Sequence, residues 1–90
     1  MRIPSSDMTA DQLRAYYGKP EAADLPMVLH MLGNPGIDTD WAVAYRYPSE
    51  EACQAFADGN QRHHGHTSLG PVTGPDGGIY GITIMAQPSA

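Results

Sequence analysis

A single cysteine, Cys53, occurs among the 90 residues, which excludes an internal disulfide framework and any CxxC metal site. Cations are scarce as well. Five Lys and Arg stand against ten Asp and Glu, for a formal net charge of −5. Nucleic acids and anionic membranes are held by clustered cations, so neither is expected as a partner. No apolar run approaches the roughly 18 residues that cross a bilayer, and the first residues, with one Arg and no apolar stretch, do not read as a signal peptide. No internal repeat or low-complexity tract is present. What is present is a modest apolar complement, 41% of residues, with ten Gly and eight Pro that imply short elements and frequent turns. These proportions describe one small domain spanning residues 1–90, expected in the cytoplasm.

Local signals divide the chain. Arg2-Ile3-Pro4 reads as the end of a short strand stopped by Pro4. Thr9 and Gln12 form a capping box that starts a helix at about Ala10, with Leu13, Tyr16 and Tyr17 as its apolar stripe and Gly18 as its C-cap. The run 26–32, PMVLHML, lies between Pro26 and Gly33 and is expected to be a strand. Asn34-Pro35-Gly36 is a turn, and DWAVAYRY then alternates, with Trp41, Val43, Tyr45 and Tyr47 on one face. Residues 26–47 therefore read as a hairpin with its loop at about 33–39. Ser49 caps a second helix, with Glu50 and Glu51 in its first turn and Gly59 or Gly65 as its end. Residues 67–78 look irregular apart from a brief strand at Ser68–Val72, and Ile79–Ala86 is a β-branched strand.

The expected order is βαββαβ: an α+β, ferredoxin-like domain with an antiparallel four-stranded sheet and both helices on one face. The other face would be bare, so a homodimer packing sheet on sheet is expected. Three segments, MTADQLRAYYG, LPMVLHMLG with DTDWAVAYRYPSEEACQAF, and GIYGITIMA, together resemble the dimeric α+β barrel proteins of the antibiotic-biosynthesis-monooxygenase family. The chain departs from that family in its first strand, for which at most MRIP is available, and in having Tyr47-Pro48 where Trp-Glu is common. The resemblance implies a pocket protein, including cofactor-free monooxygenases and cyclases that act on aromatic or polyketide-like substrates. It also implies a haem alternative. In the family's haem-degrading branch an aromatic residue and the iron-ligating histidine lie ten positions apart, as Phe56 and His66 do here, although that branch has tryptophan at the first position.

Candidate chemistry centres on the histidines. His30, expected on a central strand, is either a pocket base or a hydrogen-bonded structural residue. Gln61-Arg62-His63-His64-Gly65-His66 holds the other three. Its plain alternative is a solvated helix end, where the dipole favours cations. His30 and His66 are the candidate catalytic residues. Trp41, Tyr45, Arg46 and His63 are the candidate substrate contacts: the aromatics stack a flat ligand or pack a core, and Arg46 clamps an anion or sits exposed. No protein-held metal and no cofactor other than the haem alternative are expected. Cys53, on the stripe with Phe56, reads as a buried thiol. The cavity is expected between sheet and helices, near His30 and the end of the second helix, with a small molecule as its ligand.

Overall fold

The computed structural model describes residues 7–85. Helix α1 spans Ala10–Tyr17 and closes with the expected capping box, in which Thr9 Oγ1 accepts from Gln12 N–H and Gln12 Oε1 accepts from Thr9 N–H. Strand β1 is only Glu21–Ala22. Helix α2 (Leu25–Met31) follows, then a 3-10 turn at Thr39–Trp41, strand β2 (Ala42–Tyr47), helix α3 (Glu50–His64), and strands β3 (Thr67–Thr73) and β4 (Ile79–Ile84). Ser49 caps α3 through Ala52 N–H, and Gly65 ends it in the left-handed conformation, φ 68°. That conformation leaves the last carbonyls partnered and is one that glycine enters without a Cβ penalty.

The sheet is antiparallel throughout, in the order β1-β2-β4-β3. Strands β2 and β3 therefore run the same way, joined by α3, with β4 returning between them. This is a split βαβ unit. The fold is α+β with a four-stranded antiparallel sheet, as expected, but its element order is not βαββαβ. The segment 26–32, read as a strand, is helix α2. Its cause is local: Asp24 caps the segment by accepting from Met27 N–H at 3.1 Å, and Pro26 occupies the first turn, where its missing N–H is no loss. The hairpin expected over 26–47 is accordingly absent. The short strand proposed at Arg2–Pro4 lies outside the described residues, as does Ala86 at the end of the expected last strand.

The two helices expected, α1 and α3, do share one face, and the placement of α2 corrects a second expectation, that the other face is bare. Alternation along the strands sorts the side chains into two cores. On one face Tyr47, with Tyr45 and Ile79 beside it, packs against Leu13 of α1 and Ala52, Cys53, Ala55 and Phe56 of α3. On the other, Ala44, Tyr80 and Ile82 pack against Val28 of α2, flanked by Leu69, Val72 and Ile84. A bulge in β3 serves this sorting. Leu69 pairs with Ile82 and Val72 with Tyr80, so one extra residue is accommodated and both side chains reach the α2 face. Gly70 takes up the bend at φ 109°, where a Cβ would stand 3.0 Å from Tyr80 O.

Two substitutions test this arrangement by urea denaturation. Asp24→Ala should destabilise the protein by about 1 kcal/mol, the loss of a helix cap, whereas a strand over 26–32 would leave it silent. Ile82→Ala, at a side chain only 1% exposed, should cost about 2–5 kcal/mol.

Candidate functional site

The α1/α3 face is not completely filled. A cavity of about 300 Å³, open at its mouth, lies between the sheet and the two helices. Val43, Tyr45 and Tyr47, alternate residues of β2, form its floor together with Thr83, which pairs with Val43 across β4. Phe56 and Asn60, one turn apart, contribute from α3, and Ala10 and Arg14, also one turn apart, from α1. Lys19 and Pro20, leaving α1, and His66 and Met85 complete the lining. The aromatic rings are mutually packed: Tyr45 and Tyr47 centroids lie 6.1 Å apart and Tyr47 and Phe56 6.0 Å apart, at tilted angles of 60° and 45°. These separations are within the favourable range for aromatic pairs.

Thr83 is 5% exposed, and its Oγ1 is buried with no hydrogen bond of acceptable geometry. Ser68, directly opposite on β3, has a buried and unpartnered Oγ as well. An unsatisfied buried hydroxyl costs about 1–3 kcal/mol; both oxygens are closed off from the cavity, and that of Thr83 lies by the Tyr47 hydroxyl. The electrostatics of the lining are one-sided. It contains no Asp or Glu, although the chain has ten. Arg14 is ion-paired with Asp11 on its own helix and remains 43% exposed. Lys19 is exposed and makes no ion pair among the described residues.

Among the candidate residues, the structure brings His66 and Tyr45 into this cavity. His66 is half-buried and stacks on His64 at 5.2 Å and 29°. His63 faces away from it, with Nε2 2.9 Å from Met8 O, and borders a smaller hollow of about 190 Å³ beside Thr9 and Leu13. Trp41 belongs to the 3-10 turn rather than to the strand, so it leaves the Val43–Tyr47 stripe, and its carbonyl accepts from Met85 N–H at 2.7 Å. Arg46 lies on the α2 face and reaches Asp76 at 3.7 Å. His30 is exposed on α2, on the side of the sheet opposite the cavity. Its expected place on a strand beside the pocket went with the strand.

Thr83, Asn60, Arg14 and Lys19 are additions to the site. Thr83 was visible as the polar exception in IYGITI, where Ile79, Gly81 and Thr83 share a face. Asn60 follows Phe56 at helical spacing. Arg14 and Lys19 carried no distinguishing signal.

Among the described residues no three His, Cys, Asp or Glu side chains converge where a metal would sit. Phe56 and His66 do border one cavity. Small-molecule sites run from roughly 300 to 1,000 Å³, and a cavity of about 300 Å³ lies at the lower end of that range. Phe56 is committed to the core besides, 7% exposed against Tyr47. No helix among the described residues is long and apolar enough to cross a membrane. No protein-family model, no curated protein and no solved structure matches the chain. The sheet is compatible with a ferredoxin-like fold, while the likeness to the monooxygenase family rests on the sequence segments alone.

Two groups on this face hold their protons tightly. Burial pushes the Tyr47 phenol up to about 12, with the nearby Thr83 hydroxyl drawing it only partly back down. Burial, reinforced by Glu50, pushes the Cys53 thiol up to about 11. Both acids are harder to ionise folded than unfolded, so the stability they provide is complete below the unfolded-state values of about 8.5 and 10. It is lost as pH rises through the folded values. Urea titrations should therefore show a decline from about pH 9 toward pH 12, and Tyr47→Phe should flatten its upper part.

Proposed function

We propose that the chain is a small-molecule-binding protein whose site is the cavity on the α1/α3 face. The observation that carries this reading is the aromatic-lined space of about 300 Å³ itself, to whose lining Asn60 and His66 add polar side chains. Apolar walls with a few convergent polar groups are the usual make-up of a ligand site. The ligand is a single-ring molecule or one of similar bulk, stacked against Tyr45 and Tyr47.

The narrower reading, a cofactor-free monooxygenase or cyclase acting on an aromatic or polyketide-like substrate, draws on the family resemblance. In that reading His66 is the base: its neutral imidazole takes an acidic proton from the substrate and becomes imidazolium, leaving the substrate anion among the rings. Tyr47, held protonated, donates to that anion rather than competing for the proton. Sheet-on-sheet dimerisation, as a dimeric α+β barrel requires, would have to displace α2 from the sheet face it occupies. We therefore read the site as complete within one protomer.

Titration of the ¹⁵N-labelled protein with 4-ethylphenol, a neutral probe, should shift the amides of Val43, Asn60 and Thr83 and leave those of α2 in place. Val43→Trp, which fills the cavity, should abolish the shifts. Unchanged amides at millimolar probe would overturn the proposal. Oxygen uptake with phenolic substrates separates catalysis from binding; if His66 is the base, His66→Ala should lower turnover roughly 10²–10⁴-fold.

A further inference from the structure

Helix α3 departs from good helix composition where it passes the cavity. Gly59 and Asn60 lie in the body of this 15-residue helix, and both are poor helix formers. Gly59 has a packing role: it is buried and borders the smaller hollow, to which it adds no side chain. Asn60 has none. It is half-buried, and its side-chain amide makes no hydrogen bond among the described residues. Local rules are broken most often where a residue serves a site.

Asn60 also stands where two spaces meet. With Ala10 and Phe56 it lines both the cavity of about 300 Å³ and the hollow of about 190 Å³. Phe56 precedes it by one turn, about 6 Å along the helix axis, and packs on Tyr47, which packs on Tyr45. The His66 backbone N–H donates to Asn60 O at 3.2 Å, which fixes His66 beside it. An unpaired amide, an imidazole and three rings thus border one space.

A side-chain amide offers a carbonyl acceptor and an NH2 donor side by side in one plane. The group that meets both at once presents a donor beside an acceptor, as a primary carboxamide or a lactam does, and pairs through two parallel hydrogen bonds. A phenol meets only one. A carboxylate presents acceptors alone and sets one oxygen against the Asn60 carbonyl. An amidinium presents donors alone, and the lining holds no Asp or Glu to balance its charge. Nor does the lining call for an anion, since Arg14 is ion-paired with Asp11 and Lys19 is exposed to solvent.

We infer that the cavity takes a neutral aromatic amide, a single ring carrying a carboxamide or a ring lactam. Its amide edge pairs with the Asn60 side chain, and its ring lies against Phe56, Tyr45 and Tyr47. The one-turn separation of Phe56 and Asn60 suits an amide borne directly on the ring, without a spacer. Asn60 is the residue that sets this specificity. The inference rests on the small-molecule reading of the cavity and names the ligand class for that same site.

Benzamide, methyl benzoate and benzamidine test it in NMR titrations at pH 7. The ester keeps the ring and the carbonyl but has no N–H. Benzamide should bind at least roughly tenfold more tightly than the ester, the worth of one or two hydrogen bonds. Asn60→Leu, similar in shape and a better helix former, should bring benzamide down to the level of the ester. Binding of the ester should be unchanged in that variant, which also shows that its cavity is intact. Asn60→Asp should reverse the preference, because a carboxylate accepts from both N–H groups of an amidinium. Benzamidine should bind that variant at least roughly tenfold more tightly than it binds the unaltered protein.

Equal binding of benzamide and methyl benzoate, or indifference of benzamide to Asn60→Leu, would overturn the aromatic-amide assignment while leaving the small-molecule site standing. Absence of a gain for benzamidine in Asn60→Asp would overturn the placement of Asn60 against the ligand. If neither benzamide, nor methyl benzoate, nor 4-ethylphenol shifts the amides of Val43 and Thr83, the small-molecule reading fails and this inference with it.

Discussion

Strand β4 is bonded on both edges and covered on both faces, and the rest of the structure follows from satisfying it. Its backbone is shared between β2 and β3. Ile82, 1% exposed, anchors the α2 side, while Gly81 opens the α3 side. A Cβ at Gly81 would stand 3.0 Å from Leu69 O and 3.1 Å from Cys53 Sγ, so the close seat of α3 depends on having no side chain there. The small residues Ala52, Cys53 and Ala55 on α3 are the matching surface. The bulge in β3 belongs to the same constraint: it keeps Leu69 and Val72 on the α2 side and lets β3 bond to β4 on both sides of the kink.

The cavity results from a length mismatch on the other strand. Helix α1 has eight residues and so is about 12 Å long, whereas the six residues of β2 extend about 20 Å. α1 meets α3 through the core around Leu13 and Phe56 and ends beside Pro48. It cannot also roof the Val43 end of β2. The first strand gives no help: with two residues it is long enough only to pair with Tyr45 and Arg46 at the edge. The uncovered part of β2, with Thr83 beside it, becomes the floor of a hollow.

Much of this was legible from the sequence, and the failures have physical causes. The capping box at Thr9, the Ser49 cap and the alternation through Tyr45 and Tyr47 each act within a few residues, and each was read correctly, while the helix end, open between Gly59 and Gly65 in the sequence, falls at Gly65. The run 26–32 was misread because seven residues, apolar but for His30, suit a buried strand and a short helix equally by periodicity. The deciding signal, Asp24 followed by Pro26, lay just before the run. That one error moved His30 to the opposite face, replaced a bare sheet face by a covered one and removed the motive for a dimer. His66 and Tyr45 survived because their positions depend on α3 and β2. Thr83 was readable as a polar break in a buried strand. Lys19 was not, since nothing local says that a linker lysine will border a cavity.

The acid–base character of this face limits the chemistry the cavity can support. Cys53, the one thiol, lies beneath α3 against Gly81 and is held protonated by burial, which makes it a packing group and not a nucleophile. Tyr47 is held protonated in the same way and serves as a donor. Thr83 has no base hydrogen-bonded to it, and its hydroxyl oxygen is closed off from the cavity, so it is no nucleophile. The lining carries no carboxylate to act as a base. What remains for proton transfer is the imidazole of His66, half-buried where the chain leaves the left-handed Gly65 and enters β3. A lining with one imidazole, no carboxylate and no activated hydroxyl or thiol offers no nucleophile for covalent catalysis.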